Sequence, residues 1–305
     1  MTEVAAPTMN RSKGLTVAVF VTAPHGTHDI GPMLSALREQ LLPGDRLTVL
    51  DGGTRKDPLD ISGLASIEVE HLHRSGMSAF HLRAEIGSMS DRDITVVFEE
   101  HAPPGPRFMD EVRRLFGENA NLAAIKVLGR NLSSTGGWGW PNFLMAFAEC
   151  MAPVGSLPPS MLATSAVVRT SILPKAIGAP GSWETEFIPN LNRQSERLSY
   201  SNDVWVNHIE HCGPWESLRG HFNNQRAVSA ARVAKGHRRG KLAARAIKDL
   251  GFRRHREIAR ALADRPESHH CRENRGKLFL IGWAAFFGAL AGAYLGPGRA
   301  RELMH

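Results

Sequence analysis

LTVAVFVT, at residues 15–22, is a short run of apolar and β-branched side chains, and the turn TAPHGTHDIG follows at residues 22–31. Such a run predicts a buried strand. GPMLSALREQLL, at residues 31–42, has the apolar spacing of a helix, and RLTVL, at residues 46–50, predicts a second strand. This order of strand, helix and strand predicts an α/β fold with a mostly parallel sheet and helices on its faces.

The same alternation continues further along the chain. SIEVEHL at residues 66–72 and DITVVF at residues 93–98 predict two more strands, and the helix-like MSAFHLRAEIGSM lies between them at residues 77–89. Ligands of such sheets bind at the carboxyl ends of the strands. We therefore expect a functional site among the residues that follow the strands. These residues are Pro24, Asp51 and Glu99.

The composition is that of a globular chain, with 42% hydrophobic and 22% charged residues among 305. It excludes disordered and collagen-like classes, and the length leaves room for one large domain and an appendage. The three cysteines lie far apart and form no CxxC pair. This argues against a disulfide framework and against a cysteine zinc site.

The net charge of +7 is concentrated late in the chain, where residues 219–277 hold 17 Lys and Arg against 5 Asp and Glu. Such a block contacts anionic lipid or nucleic acid, or is a solvated helix face. It lacks interleaved aromatic side chains and any recognisable nucleic-acid module. Because an apolar segment follows it directly, we expect a juxtamembrane region that contacts anionic headgroups, and no nucleic-acid partner.

The apolar segment LFLIGWAAFFGALAGAYL, at residues 278–295, contains 18 residues without a charge. As a helix it would be about 27 Å long, enough for a bilayer core. Gly288, Gly292 and Gly296 recur at a spacing that suits close helix packing in lipid. The alternative is a buried helix of a soluble domain. More basic residues precede the segment than follow it, which predicts a membrane protein whose large domain faces the cytoplasm.

Two acidic strand ends predict chemistry. Asp51 is placed to accept hydrogen bonds from a base or ribose, and Gly52 beside it lets a ligand approach the backbone. Glu99, Glu100 and His101 offer oxygen and nitrogen donors for Mg²⁺ or Mn²⁺ carrying a diphosphate. An acidic strand end is also commonly just a solvated loop, so the spacing alone leaves both readings open.

In their order, these motifs resemble the family-2 inverting glycosyltransferases, which have a GT-A fold. VFVTAPHG corresponds to the turn after their first strand, LDGG to their Asp-Asp-Gly motif, and GMSAFHLR to their Gly-x-Ser-Ala-x-x-x-Arg segment. VVFEEHAPPGPRFMDEV stands in the place of the DxD region, as a degenerate variant with an acidic pair followed by His. GSWETEF and VWVNH match the later Glu-Asp motif and the strand that ends in His. The resemblance covers about residues 15–210.

The resemblance implies a role for each matching residue. The nucleotide-binding residues would be Thr22, Pro24, Asp51, Gly52 and Arg83, with Arg83 near the diphosphate. The metal ligands for Mg²⁺ or Mn²⁺ would be Glu99, Glu100, His101 and His208. Glu184 aligns best with the catalytic base, and Glu186 is the second candidate. Trp138 and Trp140 are candidates for stacking on an acceptor sugar, although loop tryptophans more often pack locally.

The resemblance also implies a domain plan. A flexible tail at residues 1–14 would precede a GT-A domain at residues 15–210. A basic helical region at residues 211–277 would lead to a transmembrane or membrane-embedded helix at residues 278–296, and residues 297–305 would form a tail.

The implied activity is that of a membrane-associated glycosyltransferase of the hexosyltransferase type. It would transfer a sugar from a nucleotide-sugar donor to a hydroxyl of a lipid-linked or cell-envelope acceptor, with inversion at the anomeric carbon. A UDP-sugar is the expected donor. A nucleotidylyltransferase would need a basic residue in the loop after the first strand, and TAPHGTHDIG has no Lys or Arg. Leu50 replaces one motif Asp, and Glu-Glu-His replaces DxD. An inactive relative that assists a partner enzyme is therefore the alternative.

Overall fold

One seven-stranded sheet is the framework of the computed structural model, which describes residues 14–55, 59–133, 137–159, 161, 164–174, 181–209, 212–300 and 302–303. Its strands are β1 (Val17–Ala23), β2 (Arg46–Asp51), β3 (Glu68–His73), β4 (Ile94–Glu99), β5 (Ala124–Asn131), β6 (Ala166–Arg169) and β7 (Leu198–His208). Their order across the sheet is β3-β2-β1-β4-β6-β5-β7. β6 pairs antiparallel with both neighbours, and the other pairings are parallel. The predicted mostly parallel sheet is confirmed.

Helices flank this sheet and continue beyond its last strand. Among the strands lie α1 (Gly31–Arg38), α2 (Ala79–Met89), α3 (Phe108–Glu118), α4 (Gly139–Phe147) and α5 (Ile188–Asn192). After β7 come α6 (Pro214–Ala234), α7 (Arg239–Ala246), α8 (Arg254–Ala261), α9 (Ser268–Glu273) and α10 (Arg275–Leu295). Two π-helical turns, Trp183–Phe187 and Ile247–Arg253, lead into α5 and α8.

Alternate side chains of the strands enter two separate cores, one on each face of the sheet. On one face, Val19 and Val21 pack with side chains of α1 and α3 such as Leu37 and Val112. On the other face, Phe20 packs with Leu82 of α2 and with the fully buried Trp183. Buried on both faces, β1 and β4 have the continuous apolar runs that the sequence shows.

Two predicted element boundaries are wrong. The helix expected over residues 31–42 ends at Arg38, and Leu37 accepts the N–H groups of Gln40 and Leu41 as the chain turns. Trp138 and Trp140, predicted to lie in a loop, stand at the start of a helix that begins at Gly139. Pro141 lies in the first turn of that helix, where its missing N–H costs no hydrogen bond.

The apolar segment forms most of α10, the one helix in the described ranges that is long and apolar enough to cross a membrane by length and composition. It packs along α6, and 44% of its apolar window is buried. A Cβ at Gly288 would lie 2.0 Å from the carbonyl oxygen of Phe222, and one at Gly292 would lie 2.1 Å from that of Arg226. These glycines therefore let two backbones within the same chain come into contact.

This contact predicts that Gly288→Ala destabilises the protein. The added methyl group has to push α6 and α10 apart, at a cost of about 1 to 3 kcal/mol. Gly276→Ala, in the first turn of α10, is the matched control, since its Cβ would meet nothing within 4 Å. In urea denaturation the control should be neutral or slightly stabilised. Equal stability of the two variants would contradict this packing.

Candidate active site

The carboxyl ends of the parallel strands meet at one edge of the sheet and bring the predicted residues together. Thr22 of β1 is in register with Glu99 of β4, and Ala23 is in register with Asp51 of β2. On the other side of β6, Asn131 of β5 is in register with His208 at the end of β7. The strand ends therefore place Glu99 and His208 along the same edge.

Glu99, His101 and His208 form a cluster whose potential ligand atoms all lie within 4.8 Å of one another. Oε2 of Glu99 is 3.7 Å from Nε2 of His101 and 3.8 Å from Nε2 of His208. The two imidazole rings meet edge to face, 4.7 Å apart. Glu100, also predicted as a ligand, lies outside this cluster, with Oε1 3.7 Å from Nδ1 of His101.

The cluster's donors are two imidazole nitrogens and one carboxylate oxygen. Mg²⁺ strongly prefers oxygen ligands in octahedral geometry, whereas imidazole suits transition metals. Of the two predicted ions, Mn²⁺ therefore fits Glu99, His101 and His208 better than Mg²⁺ does.

A buried guanidinium, that of Arg83 on α2, joins this cluster to the predicted base. Its two terminal nitrogens donate to Oε1 of Glu99 at 2.6 Å and to Oε1 of Glu184 at 2.9 Å. The Arg83 side chain is only 3% exposed. One oxygen of Glu99 thus faces Arg83 while the other faces the two imidazoles, an orientation typical of a metal ligand with a supporting partner.

Charge governs the protonation of Glu99. Burial opposes its ionisation, but the electrostatic interactions with His208, Arg83 and His101 outweigh burial and lower its pKa to about 2. Glu99 is therefore an anion across the physiological range, as a metal ligand must be.

Glu184 experiences the opposite balance. Burial raises the pKa of its carboxyl group, and Arg83 offsets this only in part. The side chain is 10% exposed, and Oε2 has no hydrogen-bond partner among the described residues. Glu184 lies in the π-helical turn Trp183–Phe187, a feature frequent at functional sites. A carboxylate with a raised pKa suits a general base.

Glu186, the second candidate for the base, has a different environment. Its side chain is 48% exposed and forms an ion pair with Lys235, the residue that follows α6. Lys235 also donates to Thr185 at 3.0 Å. Glu186 thus attaches the π-helical turn to the C-terminal helices, whereas Glu184 points to Arg83.

Asp51 is fully buried, and both its oxygens are engaged. The N–H of Gly53 donates to Oδ1 at 2.8 Å, and Nε2 of His71 and Nδ1 of His73 each lie 3.1 Å from Oδ2. Burial opposes ionisation, but the hydrogen bonds from Gly53, His73 and His71 outweigh it and lower the pKa of Asp51. The two histidine side chains remain 15% and 21% exposed.

Sequence reasoning missed His71 and His73. They alternate on β3, and this alternation was a usable signal, because side chains two apart share a face of the sheet. Gly52 also has a packing role: a Cβ there would lie 2.1 Å from the carbonyl oxygen of Met77. The close approach at Gly52 is thus made by the protein's own backbone.

The remaining predicted residues lie around this edge. Thr22 is buried and donates its hydroxyl to the carbonyl of Phe98 at 3.1 Å, and Pro24 is half-buried beside Gly52. Trp140 is 8% exposed and stacks on His270 with ring centroids 3.7 Å apart. Trp138 is half-buried against the apolar side chains that surround Trp140. Trp140 therefore packs within the protein, as loop tryptophans commonly do. Its contact with an acceptor sugar stays a prediction.

Comparisons with known proteins give distant similarities. No family model matches the chain, and no curated protein matches it. Among solved structures, a Pyrobaculum calidifontis mannosyltransferase in complex with GDP-Man and Mn²⁺ is 14% identical, with 88% of this chain and 73% of that chain covered and a TM-score of 0.47.

Two further solved structures are similar at the same level. Glucosyl-3-phosphoglycerate synthase from Mycobacterium tuberculosis, in complex with Mn²⁺ and UDP, is 17% identical over 72% of this chain and 80% of that chain, with a TM-score of 0.47. TarS of S. aureus is 11% identical over 86% and 70%, with a TM-score of 0.44. Similarities this distant do not define the activity of the chain.

The buried ion pairs predict a specific pH dependence of stability. An acid whose pKa is lower in the folded chain than in the unfolded chain stabilises the fold at pH values above its ordinary pKa, which is 4.5 for Glu99. This stabilisation disappears as the pH falls towards the folded-state pKa of about 2. For Glu99 the contribution is about 3 kcal/mol near neutral pH. Glu99→Gln should therefore be destabilised at pH 7, and its difference from the unmodified protein should shrink below about pH 4.5 in urea denaturation.

Glu68→Gln is the matched control, because Glu68 is 59% exposed and pairs with Arg92 at the surface. Its effect should stay below about 1 kcal/mol. A Glu99→Gln protein as stable as this control at pH 7 would contradict the assigned network.

Proposed function

We propose that this protein is an inverting glycosyltransferase of the GT-A type that uses a nucleotide-sugar donor. The observation that carries the proposal is the chain of contacts from the Glu99, His101 and His208 cluster through Arg83 to Glu184. It joins a group of potential metal ligands to a carboxylate with a raised pKa at the carboxyl edge of a parallel sheet. The order of motifs in the sequence supports the same activity.

Glu184 is the general base of the proposed reaction. The acceptor hydroxyl oxygen attacks the anomeric carbon, the bond from that carbon to the diphosphate oxygen breaks, and the nucleoside diphosphate leaves with the bonding electrons. The hydroxyl proton passes to Oε2 of Glu184, the oxygen that Arg83 does not contact. Arg83 holds the base in place and keeps Glu99 ionised.

Glu99, His101 and His208 would hold a divalent ion, with Mn²⁺ preferred over Mg²⁺ on the donor set. When bound, such an ion neutralises charge that develops on a departing diphosphate. Glu100 then contributes negative charge beside His101 without being a ligand itself.

On the donor's nucleoside side, Asp51 acts through His71 and His73. Its oxygens are occupied, so the outer nitrogens of the two partly exposed imidazoles, Nδ1 of His71 and Nε2 of His73, are the polar groups left for a base or ribose. Asp51 and Glu99 lie two strands apart, about 10 Å, with β1 between them. Thr22 and Pro24 at the end of β1 fill this gap.

For the acceptor, the proposal names only a class of molecule. The predicted acceptor is a hydroxyl of a lipid-linked or cell-envelope molecule, with Trp138 and Trp140 as candidate contacts and the catalytic domain in the cytoplasm. The support is the apolar α10 and the basic block of residues 219–277, which belong at an anionic membrane.

The test of the donor site is a thermal-shift titration with UDP, GDP and ADP, each with Mn²⁺, with Mg²⁺ and without metal. A ligand that binds only the folded protein raises its melting temperature. We expect one nucleotide to raise it, more with Mn²⁺ than with Mg²⁺, and His101→Ala to abolish the metal-dependent part. His28→Ala, an exposed histidine paired with Asp29, is the control. No shift with any nucleotide would overturn the proposal.

The test of catalysis compares Glu184→Gln with Glu186→Gln in the release of nucleoside diphosphate from the donor that binds. Loss of a general base costs about 10²- to 10⁴-fold. We expect this loss for Glu184→Gln, with nucleotide binding unchanged, and less than about threefold for Glu186→Gln, whose carboxylate pairs with Lys235 at the surface. The reverse result would exchange the two roles. Nucleotide binding without turnover in the unmodified protein would favour the inactive relative.

A further inference from the structure

From Leu278 to Leu295, α10 is apolar on all sides, yet one of its sides is left exposed by the helices packed around it. Two small residues of the covered side, Gly288 and Gly292, lie against α6. A helix that crosses a bilayer alone would present its whole circumference to lipid. Here α6 occupies the side that carries the glycine repeat.

The helix that covers α10 is strongly polar. α6 carries Arg219, His221, Arg226 and Arg232, and Nε of Arg226 donates to the carbonyl of Gly296 at the end of α10. Charged side chains at the centre of a bilayer are costly. Because α6 and α10 are packed along their length, α10 cannot enter the hydrocarbon core lengthwise without taking α6 with it.

The opposite side of α10 is an exposed apolar stripe that runs its full length. Its members are Phe279, Leu280, Phe287, Tyr294 and Leu295, each at least 50% exposed. Members of successive groups recur seven and eight positions apart, so they share one face. The half-buried Trp283 lies between Phe279 and Phe287, with ring centroids 5.9 and 5.7 Å from theirs.

Basic side chains stand beside this stripe. α7 packs against α10 through Ala246, which contacts Phe286 and Ala289. α7 and the turn after it expose Arg239, Lys241, Arg245 and Lys248, together with the apolar Ile247, which is 50% exposed. An apolar stripe with an aromatic core and a basic border is the pattern of a helix that lies in the interface of an anionic membrane.

We propose that α10 lies in the plane of an anionic lipid surface, with Phe279, Trp283 and Phe287 inserted and α7 bound to the headgroups. The helix is about 31 Å long, and both its ends stay on the same side of the membrane. The glycine repeat that the sequence associates with helix packing in lipid serves the contact with α6. This attachment does not depend on the transfer reaction.

The first experiment is flotation of the full-length protein with phosphatidylcholine vesicles, with and without phosphatidylglycerol. The protein should float with anionic vesicles and at least tenfold less with neutral ones in 0.15 M salt. The double variant Phe279→Ser/Phe287→Ser should lose at least tenfold of this binding. Leu42→Ser/Ile61→Ser, which removes two exposed apolar side chains elsewhere, should float unchanged. Equal flotation of the two double variants would overturn the proposal.

The second experiment distinguishes lying in the plane from crossing. Single cysteines replace Glu273, before α10, or Arg299, after it; both side chains are more than 60% exposed. Cys212 and Cys271 become Ala, and the buried Cys150 stays. A membrane-impermeant maleimide should label both positions in inverted membrane vesicles and neither in intact cells, or the reverse pattern. Labelling of one position in each preparation would mean that α10 crosses the membrane and would overturn the proposal.

Discussion

The candidate site depends on one buried guanidinium that donates one hydrogen bond to each of two carboxylates. Arg83 could not remain 2% exposed without partners, because a buried charge is tolerated only when it is paired and hydrogen-bonded. Glu99 and Glu184 each accept a hydrogen bond from one of its two terminal nitrogens. The same contact keeps α2, the end of β4 and the π-helical turn together. Removal of any member leaves an uncompensated charge in the site.

The two carboxylates share this cation unequally. Glu99 also faces two imidazoles, so its pKa falls to about 2, while burial dominates at Glu184 and raises its pKa. Two glutamates thereby acquire separate chemistry from their surroundings: Glu99 stays ionised, and Glu184 takes up a proton more readily than an ordinary carboxylate does.

The sequence predicted the features of the site that depend on short stretches of chain. Continuous apolar runs ending at Asp51 and Glu99 predicted two strands and the edge where they end, and VWVNH predicted the strand that ends at His208. The contacts between distant segments were not predictable. Nothing in GMSAFHLR shows that Arg83 bridges Glu99 and Glu184, and nothing in SIEVEHLH shows that β3 lies beside β2. The sequence of α10 likewise does not show which side of this apolar helix packs against the rest of the protein.

The loop after β4 runs alongside β7. Ile209 donates its N–H to the carbonyl of His101 at 3.2 Å, and Asn207 donates to that of Pro103 at 2.8 Å. His101 and His208 therefore become neighbours only when this pairing closes around the antiparallel β6. In the unfolded chain the imidazoles are more than 100 residues apart. An ion bound by both would act as a crosslink between the two halves of the sheet, so its binding free energy becomes part of the folding free energy.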